Sequence, residues 1–115
     1  MKKLICHCGA IEAEIRVTEN FNKILRCNCS LCKRKGSVMS MVKNEDFKII
    51  KGADLLKCYQ FHTKVAKHYF CSICGIYTHH RSYTNPENYE FNVACIDTVD
   101  TFKYKDIRVF DGQKL

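Results

Sequence analysis

The sequence predicts a mostly β domain of short antiparallel strands, about eight or nine of them, stapled by zinc. Two observations carry this reading. Apolar and polar residues alternate through much of the chain while helical periodicity is weak, and nine cysteines in 115 residues fall largely into tight motifs. A chain of 115 residues fits one domain, spanning 1–115, with a core so small that a metal crosslink would add useful stability. Apolar residues make up 46% and charged residues 27%, a globular balance that excludes a disordered chain.

Taken in order, residues 10–17 set Ile11, Ala13, Ile15 and Val17 on one face and Glu12, Glu14 and Arg16 on the other. That is the pattern of a half-buried strand. Shorter strands are predicted at 22–26, 37–42, 47–51, 55–61, 67–70, 76–80 and 90–96. Residues 51–54, around Gly52, and 84–87, with Asn85-Pro86, read as turns or loops. One helical turn is expected after Ser30 and another near 97–101.

The N-terminal Met-Lys-Lys-Leu-Ile-Cys-His holds two consecutive apolar residues before its first cysteine, too few for a signal peptide. No apolar run is long enough to span a membrane. A cytosolic or nuclear protein is therefore expected, cytoplasmic in its main location and without a membrane partner. In a reducing compartment an odd number of clustered cysteines points to metal rather than disulfides. The formal net charge is +7, and two thiolate-bound zinc ions would lower it to about +4. A basic balance suits nucleic acid or an anionic small molecule equally.

Cys6 and Cys8 form C-x-C followed by Gly9, and Cys71 and Cys74 form C-x-x-C followed by Gly75. A tight turn ending in glycine lets two thiolates face one ion while backbone N–H groups approach the sulfurs. Each pair supplies half of a tetrahedral site, so the two together make a closed structural zinc centre. A redox dithiol is the competing reading. It would want a helix N-terminus in a βαβ setting, which the pattern lacks.

Cys27, Cys29 and Cys32 differ in kind. Three cysteines within six residues can wrap one ion and leave its fourth position open, as catalytic zinc requires. Lys33, Arg34 and Lys35 follow directly, and Lys33 and Arg34 are taken as contacts for an anionic thiol ligand. In the alternative, Cys58, Cys95 or a histidine closes the site and makes it structural. Cys58 and Cys95 lie in alternating stretches that suit small buried hydrophobes. His62 reads as surface, His68 as support for the second knuckle, and His79 and His80 as opposite faces of a strand.

The three clusters together resemble the glutathione-dependent formaldehyde-activating enzyme and centromere protein V family. Three stretches carry the resemblance: Cys6-His7-Cys8-Gly9-Ala10, the run from Cys27 through Cys29, Cys32, Lys33 and Arg34 to Gly36, and His68-Tyr69-Phe70-Cys71-Ser72-Ile73-Cys74-Gly75-Ile76. Arg81-Ser82, Asn85-Pro86 and Asn92-Val93 lean toward the centromere-protein-V-like branch, although Ala94 stands where that branch often carries arginine. The resemblance implies a β-tent fold with two zinc ions. Cys6, Cys8, Cys71 and Cys74 would hold the structural one, and Cys27, Cys29 and Cys32 a more labile second one where a thiol substrate binds. It also implies a carbon–sulfur lyase activity that joins formaldehyde to glutathione as S-hydroxymethylglutathione.

Two other functions compete with that enzyme. One is a zinc-stapled module for nucleic acid or protein, with Tyr59, Phe61, Tyr69, Tyr77 and Tyr83 as a stacking surface among basic residues. The other is a protein in which both zinc ions are purely structural.

Overall fold

The computed structural model of the protein describes residues 1–17, 24–61, 64–81 and 86–112. In chain order the elements are β1 (Lys2–Ile5), β2 (Glu12–Ile15), β3 (Ile24–Cys27), α1 (Ser30–Lys35), β4 (Met39–Val42), β5 (Phe47–Lys51), β6 (Leu56–Tyr59), β7 (Lys67–Cys71), β8 (Tyr77–Arg81), β9 (Tyr89–Asn92) and β10 (Arg108–Phe110). They form a three-stranded sheet ordered β1-β2-β5 and a seven-stranded sheet ordered β10-β3-β4-β9-β8-β7-β6. Pairing is antiparallel except between β10 and β3, which run parallel.

The alternation read at 10–17 is realised as β2, with Ile11, Ala13 and Ile15 fully buried and Arg16 exposed. Facing residues of the two sheets close the main core. Leu4, Ala13, Ile15 and Phe47 from the small sheet meet Val42 and Phe91 of the large one, with Val38, Val93, Cys95 and Ile96 beside them. Phe91 is the largest side chain buried there, and a residue of that size contributes roughly 1.5–3 kcal/mol through its removal from water. A smaller apolar cluster of Ile11, Cys6 and Cys71 lies under the two cysteine knuckles.

Several expectations shift. Residues 2–5 and 108–110 form strands that the alternation did not reveal. The strand expected over 90–96 ends at Asn92, whose side chain caps a 3-10 turn at Val93–Cys95. Cys95 is buried as expected, but in that turn. Cys58 is exposed rather than buried, because among the described residues β6 is the outermost strand of its sheet and pairs with β7 alone. The helical turn expected near 97–101 is a 3-10 turn at Thr101–Lys103.

Candidate metal centres and their surroundings

The chain reverses between β1 and β2 at Cys6–Gly9, and between β7 and β8 at Cys71–Gly75. Both turns close on a glycine, three residues after Cys6 and four after Cys71. Gly9 N–H donates to the Cys6 carbonyl (3.1 Å) and Gly75 N–H to the Cys71 carbonyl (2.8 Å), with φ of 81° and 78° at the two glycines. That left-handed backbone is accessible to glycine at little cost. Ile11 N–H points at Cys6 Sγ (3.3 Å), and Ile73 and Cys74 N–H point at Cys71 Sγ (3.4 and 3.5 Å).

These turns meet, so a hairpin of the small sheet touches a hairpin of the large one. The Sγ atoms of Cys6, Cys8, Cys71 and Cys74 all lie within 4.8 Å of one another, with Cys6–Cys8 and Cys8–Cys71 each at 3.7 Å. A tetrahedral zinc with sulfurs at about 2.3 Å requires sulfur–sulfur edges of about 3.8 Å. The donor set and its spacing fit zinc. Partial burial opposes ionisation of Cys74, but N–H groups of Ile76 and Cys8 outweigh it and draw the thiol down to about 6, while Cys8 is pushed up to about 11. One sulfur leaning toward thiolate while a neighbour keeps its proton is what crowded like charges produce before a cation relieves them.

Cys27 ends β3, Cys29 caps the N-terminus of α1, and Cys32 lies in its first turn. Their sulfurs also lie within 4.8 Å of one another. Cys29 N–H approaches Cys27 Sγ (3.5 Å) and Cys32 N–H approaches Cys29 Sγ (3.3 Å). The helix stops at Gly36, whose N–H donates to the Cys32 carbonyl (3.0 Å). The chain beyond β10 closes the other side. Asn28 N–H donates to the Phe110 carbonyl (3.2 Å), and Gly112 N–H to Asn28 Oδ1 (2.7 Å). A Cβ on Gly112 would lie 2.6 Å from Cys27 Sγ, so this position packs directly on the thiols. Three half-buried sulfurs with N–H support fit a metal that keeps one position free.

Among the described residues no fourth His, Cys, Asp or Glu joins this second cluster. Cys95 Sγ instead meets the Tyr77 carbonyl (3.7 Å), and Cys58 is exposed on β6. His62 lies outside the described residues. His79 and His80 do take opposite faces of β8. His79 packs against Phe47 and Tyr69 with ring centroids at 4.7 and 4.6 Å, and His80 faces His68 at 5.3 Å.

Beside the second cluster lies a polar group that the sequence reading did not assemble. Lys33 and Arg34 are exposed, with Arg34 Nη1 donating to the Ser30 carbonyl (2.7 Å). Lys35 instead turns inward, and its Nζ sits 3.1 Å from the centroid of the Tyr77 ring. Burial lowers this lysine to about 8 against the opposing attraction of Cys32, Cys29, Cys27 and Glu90. The Tyr77 hydroxyl contacts His80 Nδ1 and, at 3.1 Å, His68 Nδ1. His80 Nε2 meets Glu90 Oε2 at 2.5 Å. His68 thus belongs to this cluster, where burial and the Lys35 and His80 charges bring it down to about 3.

The aromatics named for a stacking surface are placed as follows. Tyr59 and Phe61 stack on each other at 5.8 Å near the sheet edge, Tyr69 stacks on His79, and the Tyr77 ring lies under Lys35. Tyr83 lies outside the described residues. No helix among the described residues is long and apolar enough to cross a membrane.

Comparison with known proteins gives two findings. The family described as glutathione-dependent formaldehyde-activating enzyme matches residues 1–111. The crystal structure of a Rhodobacter sphaeroides protein, a structural genomics target, is similar at 41% identity and a TM-score of 0.89, covering 94% of this chain and 99% of that one.

Proposed function

This chain belongs to the glutathione-dependent formaldehyde-activating enzyme family, and from that premise we propose that it is a cytoplasmic zinc enzyme acting on adducts of small thiols such as S-hydroxymethylglutathione. Two zinc ions are held, one by Cys6, Cys8, Cys71 and Cys74 as a staple, and one by Cys27, Cys29 and Cys32 at the reacting centre. The observation that carries this reading is the contrast between the two clusters: four sulfurs at tetrahedral spacing in one, three without a fourth protein ligand among the described residues in the other.

Zinc at the second cluster would lower the pKa of a bound thiol and so supply thiolate at neutral pH. The chain's part is to hold that thiol and shape its surroundings. Backbone N–H groups of Cys29 and Cys32 fix the orientation of the sulfurs, and the segment at Gly112 screens one side. In the reaction the sulfur of glutathione adds to the formaldehyde carbon. A carbon–sulfur bond forms, the carbonyl π bond opens onto oxygen, and the thiol's proton ends on that oxygen. The reverse direction cleaves the carbon–sulfur bond, as in a carbon–sulfur lyase.

The test is exchange NMR on formaldehyde and glutathione with zinc-loaded protein. Accelerated interconversion with S-hydroxymethylglutathione, together with glutathione-dependent shifts over residues 27–35, is expected. Both effects should vanish in Cys32→Ser. An unchanged exchange rate and unmoved resonances at millimolar glutathione contradict the proposal.

A further inference from the structure

Lys35 is an anomaly in energetic terms. Its Nζ is withdrawn from solvent and has no hydrogen-bond partner among the described residues. A buried ammonium has three N–H donors, and leaving them unmatched costs several kcal/mol unless something compensates. The face of the Tyr77 ring offsets part of that cost, since a cation held over an aromatic ring gains roughly 0.5–2 kcal/mol. It does not accept directional hydrogen bonds. The ring itself is braced from behind: its hydroxyl is gripped by His68 and His80, and His80 is oriented by Glu90. Three side chains from three strands therefore hold an aromatic plate under one lysine, which stands three residues after Cys32 on the same short helix. Such construction around an unsatisfied donor suits a ligand that brings the missing acceptor.

We propose that the Lys35 ammonium, set on the Tyr77 ring beside the three-thiol cluster, docks the carboxylate of the thiol substrate, which makes the protein selective for mercaptocarboxylates over neutral or cationic thiols. This rests on the reading of that cluster as a thiol-binding centre and narrows its substrate class. A carboxylate suits the site because a desolvated ammonium forms its strongest hydrogen bonds with a fully charged oxygen. Lys33 and Arg34, exposed to water on the outer side of α1, would attract anions only weakly and in a salt-screened way.

Binding of three probes to the zinc-loaded full chain tests this: 3-mercaptopropionate, 2-mercaptoethanol and cysteamine. In the unaltered protein 3-mercaptopropionate should bind roughly tenfold or more tighter than 2-mercaptoethanol, with cysteamine weakest. Lys35→Met keeps the side chain's length and removes its charge. It should bring the three affinities to within about twofold of one another while two zinc ions per chain are retained. Lys35→Arg should keep a partial preference for the anion. Thermal unfolding supplies a second reading, because removing an unmatched buried ammonium should leave the midpoint unchanged or raise it. A preference for the anion that survives in Lys35→Met overturns the inference. So does loss of the second zinc in that variant, which would make Lys35 a counter-ion of the metal site, and so does a lowered midpoint. If the thiols bind without discrimination, only the lysine's role falls. If none binds the unaltered protein, the thiol-binding reading falls with it.

Discussion

Stacked on Tyr69 at 4.6 Å and set against Phe47, the His79 imidazole lies where its cation would lose hydration, and burial lowers it from 6.5 to about 3. The sign of the resulting pH dependence follows directly. Below about pH 6.5 the unfolded chain takes up a proton at this residue while the native one does not, so the stabilisation present above that pH is lost as the pH falls toward 3. The slope is about 1.4 kcal/mol per pH unit for one such histidine. Denaturant midpoints measured from pH 6.5 to 5 at saturating zinc should show His79→Phe with a slope shallower by about one proton than the parent. Parallel slopes would contradict the assignment. At this scale the cysteines were legible because their spacing is local: Cys6-x-Cys8-Gly9 and Cys71-x-x-Cys74-Gly75 each build a turn without help from the rest of the chain. In the sequence Lys35 is only the third of three consecutive cations. Which of the three turns inward depends on a helix ending at Gly36 and a ring from β8, and neither is written in the run itself. The pairing of His68 with His80 was not recoverable either: the turn at residues 71–75 alone would set His68 opposite His79, and a bulge between Tyr69 and Phe70 moves it opposite His80.

Between residue and molecule, the short strand β10 bears on the metal chemistry more than its length suggests. Its parallel pairing with β3 brings Gly112 onto Cys27 and Cys29, where an added methyl would stand 2.6 Å from a sulfur and 2.9 Å from a Cβ. Gly112→Ala must therefore displace this segment or the thiols. Competition with a chelator should show the second zinc bound about 10–100-fold more weakly, the penalty usual for disturbed groups around metal ligands, while the first is unaffected. A second-site affinity unchanged from that of the parent protein would mean that β10 does not seal the cluster. Elements like this escape sequence reading for a physical reason. Arg108–Phe110 is three residues long, too short for alternation to register, and its parallel partner lies some eighty positions away. The error at Cys58 has a related cause: alternation shows that a strand has two faces, not that β6 stands at the edge of its sheet with those faces open to water.

At the scale of the whole molecule, the two sheets share a modest core, and the four-thiol site ties a hairpin of one to a hairpin of the other. Structural zinc in small domains contributes about 10–16 kcal/mol of binding free energy, against a total stability of about 5–15 kcal/mol for an ordinary domain. Cys71→Ser should therefore unfold the protein, whereas Cys32→Ser should lose one zinc and keep its fold. Circular dichroism with zinc quantitation separates these outcomes, and equal collapse in both variants would make both sites structural. The division of labour between the clusters is most directly read by cadmium NMR, with cadmium in place of zinc as a thiolate-loving tetrahedral ion. Two resonances are expected, one in the four-sulfur range that glutathione leaves in place and one in the three-sulfur range that glutathione draws toward the first. Two four-sulfur resonances before any thiol is added, both indifferent to glutathione, would contradict a reacting centre at Cys27, Cys29 and Cys32.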